Sequence, residues 1–282
     1  MKYCIIVDSS SKISNGEIAD VYVAPLTLTK VSGKQSFSLR DGVDIKTKQM
    51  LIEMQKGVEY KTASPVIGDC ADLLDEVTKK YDEVYVLSLS KNLSGTFNQW
   101  NLLASDYNNV YPFNTNAIGD MVRWIVSDIK NLKDVNKESV GKIVEEYNAK
   151  ALISVVVSDM KYLIKGGRVS SFKGFIAGLL KFKLVLALKK DGLKLVGKTT
   201  KVENVPELVE EAFKEETGYN GKDIEKLVIF TSNVVDNKFD ASSTIDVLKN
   251  KFKGVNIEYS ELPSVIAAHV GPSYVAIAIK VK

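Results

Sequence analysis

The chain has 282 residues, enough for two domains or one large one with a sizeable core. Its 45% hydrophobic and 26% charged content is that of an ordinary soluble globular protein, and a net charge of +3 singles out no partner. Two cysteines make no disulfide framework in a chain of this size, and one histidine excludes a multi-histidine metal centre.

Cys4 to Val7 reads as a first buried strand that ends in Asp8-Ser9-Ser10-Ser11. Polar residues at the carboxyl end of a first parallel strand can line a ligand crevice, or cap a short helix from Lys12, or both. The run from Met1 to Asp8 turns polar too soon for a signal peptide. Val21 to Leu28 reads as a second strand, near an edge because of Pro25, and Ser36 to Val43 as a polar turn region. Lys46 to Lys56 has helical spacing through Met50, Leu51 and Met54, with Gly57 as its stop. Ser64-Pro65 is a helix start signal, which places Thr62 just ahead of a helix running through Cys70, Leu73, Leu74 and Val77.

Val84 to Leu89 is an apolar run of strand length, followed by a polar loop and Ser94-Gly95-Thr96 where a helix should begin. A helix N-terminus with hydroxyls beside it attracts an anion, because unpaired N–H groups and the helix dipole point the same way. Taken alone, Ser94 or Thr96 reads first as an ordinary N-cap. Asn108 to Phe113 reads as a strand, and Asn116 to Ile129 and Lys137 to Ala149 as helices. Strand and helix thus alternate through the first half, the pattern of an α/β domain with a mainly parallel sheet.

In the second half, Leu152 to Val157 reads as a strand and Met160 to Ile164 as a short helix broken by Lys165-Gly166-Gly167-Arg168. Phe172 to Leu180 has amphipathic spacing, with Ser170 or Ser171 as its cap. Leu184 to Leu188 and Leu193 to Val196 flank a hairpin turn, and a helix follows from Pro206 to Phe213. Leu227 to Phe230 reads as a strand, Ser242 to Lys249 as a helix, Val255 to Tyr259 as a strand and Pro263 to Ala268 as a short helix. His269-Val270-Gly271-Pro272 then turns the chain into a last strand, Tyr274 to Val281. The boundary is expected near residue 150, giving an N-terminal α/β domain over 1–149 and a C-terminal α/β domain over 150–282. The apolar region from Phe172 to Leu188 is interrupted by Lys173, Lys181 and Lys183, so it is no membrane span. The expectation is a cytoplasmic protein.

Lys161 to Lys201 holds eleven Lys or Arg against one acid, Asp191. Its charge of +10 leaves −7 for the remainder. Such a block suits an anionic partner surface, and equally a solvated lysine face. It lacks the aromatic-rich strand pattern of a base-stacking surface, which puts nucleic acid last among its partners. The Walker loop, the dinucleotide glycine fingerprint and the nucleophile elbow are all absent from the sequence. What remains is a set of hydroxyls at helix starts, one histidine, a Gly-Gly-Arg loop and much apolar surface. That equipment suits holding an anionic, largely apolar ligand. An enzyme acting on a phosphorylated small metabolite at Ser94-Gly95-Thr96 is the alternative.

Six segments together resemble the DegV family of bacterial fatty-acid-binding proteins, in order and over nearly the whole chain. They are Val7-Asp8-Ser9-Ser10, Val23-Ala24-Pro25-Leu26, Thr62-Ala63-Ser64-Pro65, Ser88 to Thr96, Tyr162 to Ser170, and His269-Val270-Gly271-Pro272. The resemblance implies a two-domain DegV-like α/β fold: a mainly parallel N-terminal sheet with flanking helices, a mixed C-terminal sheet, and a long-chain fatty acid such as palmitate between the domains. It implies that the carboxylate is held by Thr62, Ser94 and His269. Ser9, Gly95, Thr96, Gly166, Gly167 and Arg168 are supporting candidates. It further implies a non-enzymatic carrier, resembling the B subunit of a fatty acid kinase. Such a carrier has no cofactor and no metal, presents its lipid to a partner kinase for acyl-phosphate formation, and makes transient membrane contact. The stretches Phe172 to Leu180 and Leu184 to Leu188 are candidates for part of the tail's wall. The sequence departs from the family pattern at Ala63, Asn114-Thr115, Thr200 and Ser273. Thr200 stands where an Arg commonly assists the head group.

Overall fold

The computed structural model describes residues 2–168, 182–232, 234 and 239–282. The chain divides into two compact units. One comprises Met1–Lys46, Val58–Asn148 and Pro263–Val265, the other Thr47–Gly57, Ala149–Leu262 and Ile266–Lys282.

In chain order the first unit holds β1 (Tyr3–Asp8), β2 (Val21–Ala24), β3 (Thr27–Ser32) and β4 (Gln35–Arg40). After α1 (Thr47–Gln55), which falls in the second unit, it continues with β5 (Glu59–Ala63), α2 (Ile67–Val77), β6 (Glu83–Leu89), α3 (Thr96–Ala104), β7 (Val110–Thr115), α4 (Asp120–Lys130) and α5 (Lys137–Lys150). β1 and β6 are apolar runs buried along nearly their whole length, as strands covered on both faces must be. They lie side by side in an all-parallel sheet of order β2-β1-β6-β7, with Ile5 opposite both Val21 and Tyr85. One core packs Cys4, Ile6, Cys70, Leu74, Val86 and Trp100 together. Burial pushes the Cys4 and Cys70 thiols up to about 12 and about 11.

A second sheet in this unit, β4-β3-β5, is antiparallel. It revises three sequence expectations. Val21 to Leu28 is two strands in two sheets. Pro25 has no N–H for the ladder and restricts Ala24, so β2 ends there and β3 starts afresh at Thr27. The supposed turn at Ser36 to Val43 is mostly strand: β4 returns from β3 through Gly33, whose φ of +61° suits a two-residue hairpin turn. β4 is polar and largely exposed, so it carries no apolar alternation to read. Thr62 lies on β5, opposite Leu28, rather than ahead of a helix start. Pro65 keeps Ser64 extended, and α2 begins only at Ile67.

The second unit adds β8 (Ala151–Val157), α6 (Lys161–Lys165), β9 (Lys183–Lys189), β10 (Gly192–Thr199), α7 (Val205–Thr217), β11 (Ile224–Thr231), α8 (Ala241–Lys251), β12 (Glu258–Ser260), α9 (Ser264–Val270) and β13 (Tyr274–Val281). Its mixed sheet has the order β10-β9-β8-β13-β11-β12, antiparallel except for β11 with β12. β13 lies within this sheet and is buried throughout. Its Val275, Ile277 and Ile279 share a core with Phe213, Tyr219 and Phe252, whose rings stand 6.2–6.5 Å apart. Burying one such side chain contributes about 1.5–3 kcal/mol. Lys280 is buried on β13 and pairs with Glu225. α1 is tied into the unit by Thr47 Oγ1, which donates to the Leu262 carbonyl at 3.2 Å.

The strand expected from Val255 is confined to Glu258–Ser260, and the last helix includes His269, which was expected in the following turn. The helix expected over Phe172 to Leu180 lies outside the described residues. Among the described residues, no helix is long and apolar enough to cross a membrane.

Candidate ligand site

The parallel sheet reverses its strand order between β1 and β6, and open α/β sheets bind ligands outside the carboxyl ends of the strands at such a switch point. Asp8 ends β1. Its carboxylate accepts the Ser10 N–H at 2.9 Å, the Ser10 hydroxyl at 2.5 Å and the Leu89 N–H at 2.9 Å. These bonds tie the end of β1 to β6 and cap the turn Ser9–Ser11. Burial pushes the Asp8 carboxyl up, against the pull of those donors. Ser9 is also buried: it donates to Asp41 Oδ2 at 2.7 Å and accepts from the Leu26 N–H at 3.0 Å. A hydroxyl has one proton, and Ser9 gives its own to Asp41. Burial raises Asp41 to about 6, with the nearby Asp8 charge adding and the Ser9 and Ser264 hydroxyls opposing.

After β6, the Ser90 carbonyl accepts the Leu93 and Ser94 N–H groups at 2.9 and 3.0 Å, a turn that delivers Ser94 to the start of α3. The loop is fixed from β7, where Asn114 Oδ1 accepts the Lys91 N–H at 2.7 Å and Thr115 Oγ1 donates to the Ser88 carbonyl at 3.0 Å. Gly95, the residue before α3, makes no side-chain cap bond. It has helical dihedrals, φ −72° and ψ −3°, so Ser94 stands where an N-cap stands, and its Oγ accepts the Thr96 N–H as the local sequence suggested. The Ser94 and Thr96 hydroxyls are 2.7 Å apart, and the Thr96 N–H donates to Ser94 Oγ at 3.3 Å. Thr96 Oγ1 has one proton: directed to Ser64 Oγ at 3.3 Å it leaves the Ser94–Thr96 bond to the Ser94 proton, and directed to Ser94 Oγ it leaves the Ser94 proton for a ligand. Thr96 is fully buried, while Ser94 is half-buried.

Ser64 entered the sequence reading only as a helix start. Its role depends on β5 and α3 meeting, and no local pattern encodes that. Asp8 and Asp41 were missed as a pair for the same reason, being 33 positions apart in sequence.

In the second unit, His269 sits in the last turn of α9, which Gly271 closes at φ +86° through an N–H bond to the Ala267 carbonyl of 2.7 Å. Burial, with the Arg168 charge second, lowers the imidazole to about 4. At neutral pH it is thus an uncharged ring with one N–H donor. The Gly166-Gly167-Arg168 segment lies against it. Gly166 N–H donates to the Tyr162 carbonyl at 2.8 Å, Gly167 turns at φ +71°, and Arg168 Nη1 donates to the Gly166 carbonyl at 2.6 Å. Burial lowers the Arg168 guanidinium. The structure therefore gathers five of the six supporting candidates into two groups, Gly95 and Thr96 around Ser94 and Gly166, Gly167 and Arg168 around His269, while Ser9 is bonded to Asp41 and Leu26 after β1.

The depressed His269 value has a defined stability consequence. The unfolded chain takes up a proton near pH 6.5 and the folded one only near pH 4, so the group's contribution is present above pH 6.5 and lost as pH falls through 4. The full contribution is about 3 kcal/mol. Asp41, raised in the fold, acts with the opposite sign: its contribution is present below pH 3.8 and lost as pH rises through about 6. His269→Gln is expected to flatten the acid-side loss of stability in denaturant titrations between pH 6.5 and 4. A variant that loses stability over that range as steeply as the parent contradicts the assignment.

The basic block is partly neutralised where it is described. Lys161 pairs with Asp159 at 3.1 Å and Lys194 with Asp191 at 2.9 Å, and Lys189 pairs with both Glu215 and Glu216. Among the described residues no group of three or more His, Cys, Asp or Glu is placed to hold a metal ion.

Residues 2–282 match a family model described as "Uncharacterised protein, DegV family". A DegV domain-containing protein of Mycoplasma genitalium is 32% identical over 286 residues, covering 96% of this chain and 95% of the relative. Among solved structures, a DegV family protein of Thermus thermophilus described for its fatty acid binding superposes with a TM-score of 0.81, at 22% identity over the whole of both chains. The fatty acid kinase B3 protein of Streptococcus pneumoniae, solved with linoleic acid, gives 0.76 at 18% identity, again over the whole of both chains. These two are likenesses of fold. With a family match over nearly its whole length and a relative of this identity, the chain belongs to the DegV family.

Proposed function

We propose that this protein is a carrier for a long-chain fatty acid. It binds the carboxylate through the Thr62 and Ser94 hydroxyls and the His269 imidazole, and presents the lipid to a partner kinase that makes the acyl phosphate. The observation that carries this reading is Ser94: a half-buried hydroxyl at the N-terminus of α3, backed by buried Thr96, at the carboxyl edge of a parallel sheet. Buried carboxylates need several donors to offset lost hydration. Each hydrogen bond to such a charge contributes about 1.5–3 kcal/mol. The acyl tail supplies the rest, at about 0.8 kcal/mol per buried methylene. Ser9, Gly95, Thr96, Gly166, Gly167 and Arg168 support the head-group residues in this reading, and neither cofactor nor metal takes part. The solved structure of the fatty acid kinase B3 protein of Streptococcus pneumoniae, loaded with linoleic acid, supports both the ligand class and the kinase partner. Transient contact with a membrane, and a cytoplasmic location, follow from a carrier of this kind.

Mass spectrometry of an organic extract of the purified protein tests the reading. A long-chain fatty acid in stoichiometric amount is expected. An extract without one, joined to no binding of added palmitate or oleate, contradicts it.

A further inference from the structure

Two glycines of the second unit stand where a side chain cannot. A Cβ on Gly166 would lie 2.0 Å from His269 Nδ1 and 2.8 Å from Cε1. A Cβ on Gly271 would lie 2.1 Å from Tyr162 Cδ2 and 2.5 Å from Cε2. No real atom sits at such distances, so in each case an aromatic ring occupies the space that the glycine leaves. The two contacts are reciprocal. Tyr162 on α6, four residues before Gly166, packs on Gly271, and His269 on α9, two residues before Gly271, packs on Gly166. Each segment supplies one ring and one glycine.

We propose that Gly166 is a positioning residue for His269: its bare Cα is the wall that fixes the imidazole, and the Tyr162–Gly271 contact keeps α6 and the end of α9 in register so that the wall stays in place. The ring cannot swing toward Gly166, because backbone is already there. The wall also holds the ring in the buried setting that keeps it uncharged. Among the described residues, the titratable and charged groups around this clamp include Arg168 on the loop, Tyr162 and Lys161 on α6, and Asp159 paired with Lys161, with the Lys161 Nζ 4.7 Å over the Tyr162 ring. The ligand part of this inference rests on the fatty-acid reading above, whereas the clamp rests on the geometry of one unit.

The chain has a single histidine, so its imidazole signals are unambiguous in a nuclear magnetic resonance titration. Gly166→Ala, His269→Ala and the double variant are compared for His269 titration where the ring remains, for palmitate affinity, and for thermal unfolding. Gly166→Ala is expected to expel the ring and raise its midpoint by at least one pH unit from about 4 toward 6.5. Palmitate affinity is expected to drop about tenfold, the range of one lost hydrogen bond to a charged group, to the level of His269→Ala. The double variant is expected to bind no worse than His269→Ala, and to unfold at a higher temperature than Gly166→Ala, because the new methyl fills the space the ring vacated. A folded Gly166→Ala protein with the parent's midpoint and affinity overturns the proposal. If Gly166→Ala does not fold, the double variant decides: recovery of the fold supports the clamp and continued failure overturns it. A shifted midpoint in a protein whose parent binds no palmitate removes the fatty-acid reading and leaves the clamp standing.

Discussion

Replacing Thr62 and Ser94 together by alanine is expected to weaken palmitate binding by roughly a hundredfold or more. Each substitution removes a hydrogen bond to a charged group, worth about 1.5–3 kcal/mol, and every 1.4 kcal/mol is tenfold in affinity. Neither residue is part of a core. Thr62 is half-buried on β5, and Ser94 is half-buried before α3. Thr96 keeps its bond to Ser64 when Ser94 is lost, so the fully buried hydroxyl is not orphaned. The double variant loses the Ser94 bond to the Thr96 N–H, about 1 kcal/mol, so it should stay folded and unfold a few degrees below the parent while its dissociation constant rises. Calorimetric titration of delipidated protein with palmitate reads the effect. A double variant that is folded and binds as tightly as the parent removes both hydroxyls from the head-group site.

Trp100→Ala is expected to cost about 3–5 kcal/mol, the usual penalty for deleting a large aromatic side chain from a close-packed core. Trp100 is completely buried on α3, among Cys70, Leu74, Val86 and Ala104. Its indole N–H has no hydrogen-bond partner among the described residues. Hydrophobic packing, not that donor, is therefore what the residue contributes. Trp100→Phe keeps most of the ring volume and removes the unpaired N–H, so it should cost much less than the alanine variant. The link to function is the helix itself: Thr96 lies one turn before Trp100, so loosening α3 disturbs the seat of Ser94. Palmitate affinity should fall with stability in Trp100→Ala, and recover with it in Trp100→Phe. Denaturant unfolding followed by circular dichroism measures the first effect. A phenylalanine variant as unstable as the alanine one would assign the energy to the indole nitrogen instead.

The parallel sheet was legible because β1 and β6 are short apolar runs buried over nearly their whole length, and α2 repeats its apolar residues at helical spacing. The β4-β3-β5 sheet was not. β4 is polar, and β5 alternates only weakly around the buried Tyr60, so pairing partners rather than local pattern make them strands. The same reasoning applies to the candidate site. Ser94-Gly95-Thr96 is visible because a strand, a loop and a helix start are contiguous in sequence. Ser64 beside Thr96, and Asp41 beside Ser9, become visible only when separate elements meet. His269 was singled out as the one histidine before a Gly-Pro turn, yet its setting is made by Gly166 and Arg168, about a hundred residues earlier. Long-range contacts of this sort leave glycines in the sequence without saying what fills the space.

Carboxyl-labelled palmitate tests most directly whether this chain holds a fatty-acid carboxylate. Delipidated protein titrated with 13C-carboxyl palmitate should give one bound carboxyl resonance, distinct from the free one, that saturates at one equivalent. The Thr62→Ala, Ser94→Ala double variant should show a weaker bound signal at the same concentrations and saturate only at higher palmitate. Only the free resonance at every ratio, in a protein that is folded and free of lipid, would contradict the claim.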